Sequence, residues 1–253
     1  MQDLFIKQIR LDRLPIEKGY PWGLPVVKNL AKAGGLDFHS PVTFFVGENG
    51  IGKSTLIEAI ALAMGFNPEG GSKSFRFSTE DSHSQLSEHL LVTRSLKRQR
   101  DGFFLRAESF YNVASYIDEL DSQPAFGPPI INSYGGVSLH KQSHGESFLA
   151  LVENRFSGNG LYILDEPEAA LSPARLMRLM VLIRDLVQKG SQFIISTHSP
   201  ILMSYPGAEV YQLTETAIEP VSYRNTEHFR LTQQFVNDTE RMLKYLFDDT
   251  HNE

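Results

Sequence analysis

Residues Gly47, Glu48, Asn49, Gly50, Ile51, Gly52, Lys53, Ser54 and Thr55 satisfy every fixed position of G-x-x-x-x-G-K-[ST]. In such a loop the glycines let successive backbone N–H groups converge on an anion. A following helix adds the positive end of its dipole, the lysine neutralises the outer phosphates, and the serine hydroxyl is a ligand for Mg²⁺. The chemistry this predicts is the binding of a nucleotide polyphosphate, with Lys53 also a candidate catalytic group. Asp165 and Glu166 form a second cluster, delivered by the apolar run Leu161-Tyr162-Ile163-Leu164. Asp165 is placed to hold the metal shell and Glu166 to orient or deprotonate an attacking water. Adjacent acids at a strand end also cap helices, and only the complete phosphate loop upstream favours the catalytic reading. His198, in Ser196-Thr197-His198-Ser199-Pro200, is the third candidate, a donor to a γ-phosphate.

These residues need elements that bring them together. Residues 42–46 are a short apolar run ending at a glycine, and 53–64 carry apolar residues at helical spacing, so strand, glycine-rich turn and helix surround the loop. Residues 161–164 and 192–196 are continuous rather than alternating apolar runs, as in strands covered on both faces. Ser172 and Pro173 start a crossover helix that ends before Gly190. A mainly parallel sheet flanked by helices follows, with the three candidate clusters at the carboxyl ends of its strands.

Residues 67–87, rich in Gly, Ser and charge, read as a mobile surface loop without core residues. Residues 90–96 and 102–108 flank an Asp-Gly turn and read as an antiparallel hairpin bearing Arg94, Lys97, Arg98 and Arg100. Helical patterns cover 110–120 and 146–155, a last hairpin pairs 209–213 with 217–221, and a final helix spans 232–247. The expected organisation is one domain over 1–253, with 1–109 and 156–253 as α/β core and about 110–155 as a small helical insertion.

Composition sets limits. Twenty-four Lys and Arg against thirty Asp and Glu give a net charge of −6, so any DNA contact must be local. The absence of cysteine excludes disulfides, thiolate metal sites and a cysteine nucleophile. No run reaches the roughly 18 apolar residues of a membrane span, and the N-terminus shows no secretory leader pattern, so a cytoplasmic location is expected.

With these motifs in place, the chain resembles the nucleotide-binding domains of the ABC-class ATPases over essentially its whole length. Ser143-His144-Gly145-Glu146-Ser147 looks like a variant of that family's signature motif, about twenty residues before the carboxylate strand. Ala169-Ala170-Leu171-Ser172 resembles the D-loop, and His198 falls at the switch histidine. The resemblance implies a P-loop NTPase fold with an antiparallel β part and a helical signature subdomain. It further implies ATP as substrate with Mg²⁺, and a head-to-tail homodimer in which Ser143, Gly145 and Glu146 of one subunit complete the site of the other. Glu108 would substitute for the metal-binding glutamine that the family carries, and Tyr20 or Trp22 would stack on adenine, unless they pack under the first strands instead.

The sequence departs from the transporter pattern in Ser-His-Gly-Glu and in Thr-His-Ser-Pro, which resemble soluble repair, chromosome-maintenance and anti-phage ATPases, in particular compact stand-alone bacterial ones. Nothing between Thr55 and Ser143 forms a long coiled-coil arm. The leading expectation is an ATP hydrolase that dimerises on ATP and acts as a motor or switch in DNA repair or anti-phage defence, with DNA as a weakly supported partner. The alternative is the energy subunit of a transporter with separate membrane subunits. A non-hydrolysing switch is disfavoured by Glu166.

Overall fold

The computed structural model describes residues 3–12, 19–74, 85–107, 110–122 and 128–247. Along the chain run β1 (Ile6–Leu11), α1 (Pro25–Ala33), β2 (Leu36–Asp37), β3 (Val42–Val46), α2 (Lys53–Ala63), β4 (Leu90–Arg94), β5 (Asp101–Arg106), α3 (Phe110–Ser122) and α4 (His144–Arg155). There follow β6 (Gly160–Asp165), α5 (Pro173–Gln188), β7 (Gln192–Ser196), α6 (Pro200–Met203), β8 (Glu209–Leu213), β9 (Ile218–Pro220), α7 (Glu227–Asn237) and α8 (Thr239–Phe247). Six strands form a sheet in the order β5-β6-β7-β3-β8-β9, parallel throughout except for the β8–β9 pair. A three-stranded antiparallel sheet has the order β2-β1-β4.

The continuous apolar runs have a simple cause: neighbouring side chains enter opposite cores. Phe44, Phe103, Leu105, Tyr162, Leu164, Phe193 and Ile195 pack with α3, α4 and α5, while Phe45, Phe104, Leu161, Ile163 and Ile194 pack with α1, α2 and the small sheet. Both faces exclude water, so a polar alternation has no place in these strands. Gln192, buried between the two sheets, accepts from the Ile6 amide at 2.9 Å and donates to the Ile6 carbonyl at 3.0 Å.

Four sequence expectations need correction. The antiparallel hairpin across 97–102 does not form: β4 pairs with β1 and β5 pairs in parallel with β6, in different sheets. Asp101 is not a turn residue. Its carboxylate accepts from Gly102 N, Arg155, Ser157 and the Tyr162 hydroxyl, at 2.7 to 3.0 Å, and these distant partners override the local Asp-Gly signal. Two of the basic residues there are committed to backbone carbonyls. Lys97 Nζ donates to the carbonyls of Asp3 and Gly190, and Arg94 donates to the carbonyl of Ala63.

Within 67–87, residues 75–84 lie outside the described residues, but the ends do carry core: Leu86 is fully buried, and Gly71 bridges Phe104 through hydrogen bonds of 2.7 and 3.0 Å. The final helix divides into α7 and α8, because Asp238 leaves helical geometry at φ −148°, ψ 67° and its carboxylate accepts from Arg241 N. Short polar side chains that bond local amides favour such breaks. The last correction concerns α4, which begins at His144, so Gly145 and Glu146 belong to its first turn.

Candidate functional site

Gly47 follows β3 directly, and the loop it opens is enforced by close packing. Gly47 (φ +153°) and Gly52 (φ +101°) each lack room for a side chain, since a Cβ would meet Leu213 O at 2.4 Å in one case and Val26 Cγ1 at 2.6 Å in the other. A donor from α1 adds a further tie, Val26 N to Ile51 O at 3.2 Å. Glu48, Asn49 and Gly50 are exposed at the tip, whereas Ile51 is buried beneath it. Gly52 precedes α2 without any side-chain cap, which leaves the first amides of the helix open to an anion. Lys53 folds back under the loop and donates from Nζ to the carbonyls of Gly47 and Glu48, both at 2.9 Å. Only 4% exposed, it has its pKa lowered by burial, against the raising influence of Glu166, Asp165 and Glu168.

Across the sheet, β6 and β7 deliver the other candidates in register. Asp165 lies opposite Ser196, and both end their strands. Asp165 Oδ1 accepts from Ser54 Oγ at 3.2 Å and from the hydroxyl of Ser196. Its pKa is raised, chiefly by burial and further by Glu166, while the Ser196 hydroxyl, Arg106 and Ser54 work the other way. Glu166 sits in the left-handed region at φ 47°, ψ 55°, a conformation costly for a side chain of this kind and frequent at functional sites. It is held there by its own amide, which donates to the Ser196 carbonyl and hydroxyl at 3.2 and 3.1 Å. His198 Nε2 lies 3.4 Å from Glu166 Oε1. Burial, then Lys53 and His228, lower the pKa of His198 to about 4, so the ring is neutral over the ordinary working range.

Lys53, Ser54, Asp165, Glu166 and His198 therefore converge at one end of the parallel strands. Thr55 stands behind them, 3.3 Å from the Tyr20 hydroxyl. Tyr20 is 68% exposed beside the loop, whereas Trp22 is buried edge-on against His89, 5.0 Å between centroids. Packing claims Trp22 and removes it as a stacking surface. Glu108 lies outside the described residues.

The signature candidates form a separate group at the start of α4. Ser143 and Glu146 face each other in a capping box, the Ser143 amide donating to Glu146 Oε2 at 3.1 Å. Arg175 reaches from α5 to Ser143 Oγ at 3.4 Å and Glu146 Oε1 at 3.2 Å. Gly145 is buried against Arg175 and the carbonyl of Ala170, with a Cβ excluded at 2.5 and 2.8 Å.

Sequence reasoning missed several residues of this site. Glu168, half-buried and with a pKa raised mainly by burial, accepts from Thr197 Oγ1 at 2.9 Å and from the His198 amide, and so shapes the loop after β7. Arg106 bonds Glu58 at 2.7 Å and stands 3.7 Å from Asp165. His228 reaches His198 Nδ1 at 2.8 Å. The Asp-Glu-Pro-Glu run offered a signal for Glu168, while Arg106 and His228 act across 30 residues or more and had no local signature.

Comparison with known proteins accords with this geometry. A family model described as "AAA domain, putative AbiEii toxin, Type IV TA system" matches residues 132–204, and one described as "AAA domain" matches 31–122. The cytochrome c biogenesis ATP-binding export protein CcmA of Aliivibrio fischeri is 28% identical over 165 residues, 62% of this chain and 78% of that protein. The cobalt import ATP-binding protein CbiO of Salmonella paratyphi A is 29% identical over 215 residues, 77% of this chain and 74% of that protein. Among solved structures, cbiO1 from Clostridium perfringens, part of an ABC transporter complex, superposes with a TM-score of 0.50 at 16% identity over 97% of this chain and 100% of the other.

Proposed function

We propose that this chain, a P-loop ATPase of the ABC class, hydrolyses ATP with Lys53 on the outer phosphates, Ser54 and Asp165 on Mg²⁺, Glu166 on the attacking water and His198 on the γ-phosphate. The observation that carries this reading is the 3.2 Å contact between Ser54 Oγ and Asp165 Oδ1, which are 111 positions apart, with the Glu166–His198 pair beside it. Two hard oxygen donors side by side at the mouth of a phosphate loop suit Mg²⁺, which is commonly held by few protein ligands plus phosphate oxygens. When bound, the ion would neutralise charge on the β- and γ-phosphates. Glu166 accepts the proton of the water as its oxygen forms the new bond to phosphorus and the bond to ADP breaks. The neutral ring of His198 supplies an N–H to the γ-phosphate oxygens, and Lys53 exchanges its loop carbonyls for phosphate.

Turnover in this reading takes two copies, each placing Ser143, Gly145 and Glu146 on the other's ATP. The exposed helix start at Ser143 and Glu146 supports it. A switch in defence or DNA repair is favoured by Thr197-His198-Ser199-Pro200 and by the toxin–antitoxin description of the model matching 132–204. The relatives' names, an export and an import ATP-binding protein, favour a second reading, the energy subunit of a transporter. No helix among the described residues is long and apolar enough to cross a membrane, so that reading needs separate membrane subunits.

The test is steady-state hydrolysis with Mg²⁺, with and without double-stranded DNA, beside Glu166→Gln. The variant should lose turnover by about 10²- to 10⁴-fold, the usual contribution of a general base, and accumulate an ATP-bound dimer in sedimentation. Unchanged turnover in Glu166→Gln sinks the catalytic assignment. Stimulation by DNA selects the DNA-directed switch, and co-purification with a membrane protein selects the transporter.

A further inference from the structure

His198 leans on a second histidine. His228 lies in the first turn of α7, with Nε2 2.8 Å from His198 Nδ1 and the two rings edge to face at 4.7 Å and 63°. The other nitrogen of His198, Nε2, is buried beside Glu166 Oε1 at 3.4 Å and makes no hydrogen bond among the described residues. A neutral imidazole carries one proton, so the pair has two arrangements. With the proton on Nδ1, donated to His228, His198 Nε2 would present a lone pair to the Glu166 carboxylate and to any phosphate held by Lys53. With His228 Nε2–H donating into Nδ1, the proton of His198 sits on Nε2 and faces both anions. The second arrangement is the electrostatically favourable one.

The contact is built in by the surrounding chain. Ser199 caps α6, directly after His198, by accepting from the Leu202 amide at 3.4 Å. At the far end of α6, Met203 Sδ takes the buried Thr226 hydroxyl at 3.1 Å, and Thr226 is the residue that starts α7 two positions before His228. The same hydroxyl bonds the Tyr223 carbonyl at 2.6 Å, so α6 and the entry to α7 are one unit carrying both histidines. His228 also borders a cleft of about 300 Å³ whose lining includes Gly47 and Glu48, the first residues of the phosphate loop.

We infer that His228 is a positioning residue for ATP hydrolysis: by donating from Nε2 to His198 Nδ1 it fixes the ring and keeps the His198 proton on Nε2, aimed at the γ-phosphate. This rests on the role given to His198 above. The role is one of orientation, so binding of ATP should be spared and the chemical step should suffer.

The test uses the full chain with His228→Leu, His228→Gln and His198→Ala. A glutamine side chain can bring an N–H donor to the place of the histidine Nε2, and leucine cannot. His228→Leu should lose about 10- to 100-fold in kcat, the scale of one misdirected donor, with KM and the affinity for a non-hydrolysable ATP analogue held within about twofold. His228→Gln should recover to within about threefold of the parent, a rescue that a merely structural role would not predict. Long-range ¹H–¹⁵N spectra of the imidazoles should show His198 as a single Nε2–H tautomer in the parent and a mixture in His228→Leu. Parent-like kcat in His228→Leu, or equal losses in both His228 variants with an unchanged tautomer, overturns the inference. Parent-like turnover in His198→Ala removes the premise itself, whereas loss there with none in His228→Leu removes only the part given to His228.

Discussion

The two groups of site residues are built on opposite principles. Asp165 ends a strand buried on both faces and is held by Ser54 and Ser196 from distant parts of the chain, while Lys53, at the start of α2, is buried against the carbonyls of its own loop. Ser143 and Glu146 are exposed and satisfy one another through a capping box, with only Arg175 laid across them. The first group is expensive to assemble and ready to act. The second is inexpensive and satisfied within its own chain. A buried constellation suits chemistry, which needs preorganised charge, and an exposed one suits a contact that must form and break.

The sharpest break of this contrast is Lys53→Met. Hydrolysis should fall by about 10³-fold or more, since the phosphates lose their only buried cation among the described residues. The unfolding midpoint of the nucleotide-free protein should nonetheless not fall, because burial already disfavours the charge on Lys53. Calorimetry alongside the assay checks both halves, and a marked loss of stability would show that the site is not strained by its own lysine.

Ser143→Arg should behave in the converse way. Turnover should drop about tenfold or more with protein concentration no longer restoring it, while analogue binding to the single subunit changes by less than about twofold, as expected for an exposed position. Titration of analogue by calorimetry decides it. Equal loss of binding would place Ser143 in its own subunit's site and end the contrast.

The smallest effect is on pH dependence. The folded-state pKa of His198 is about 4, below the ordinary 6.5, so between those values the unfolded chain binds a proton that the folded one refuses. This contribution to stability is complete above 6.5 and is lost as pH falls toward 4. Urea midpoints should decline across that window, and His198→Gln should flatten the decline by roughly 0.3 M, a modest share for a partly exposed ring. An identical slope in the variant would assign the decline to other groups.

The same contrast explains what the sequence could be read for. The loop from Gly47 to Thr55 and the strands at its sides were legible because motif, flanking strand and helix are contiguous, and local preference agrees with the final environment. The supposed hairpin failed because Asp101-Gly102 is locally a turn signal, while Arg155, Ser157 and Tyr162, 54 to 61 positions away, recruit the carboxylate into the sheet. Arg106 and His228 were invisible for the same reason: each takes its meaning from a partner that only the fold supplies. The break between α7 and α8 rests on a single aspartate whose capping geometry periodicity does not reveal.

Asp101 has a mechanical consequence. Burial works against its charge, yet the Ser157 amide, the Tyr162 hydroxyl and Arg155 together hold its carboxyl below the usual range, so the charged clasp persists in ordinary solution. That clasp grips α4 at Arg155, its last residue, and Ser143 stands at the opposite end of the twelve-residue rod. At 1.5 Å per residue the arm is about 18 Å long, and a tilt of about 10° at the clasp sweeps Ser143 through about 3 Å. The anchorage of this helix is thus set at the sheet edge, where the Asp101 carboxylate ties its last residue to β5 and β6, a full helix length from the Ser143 hydroxyl.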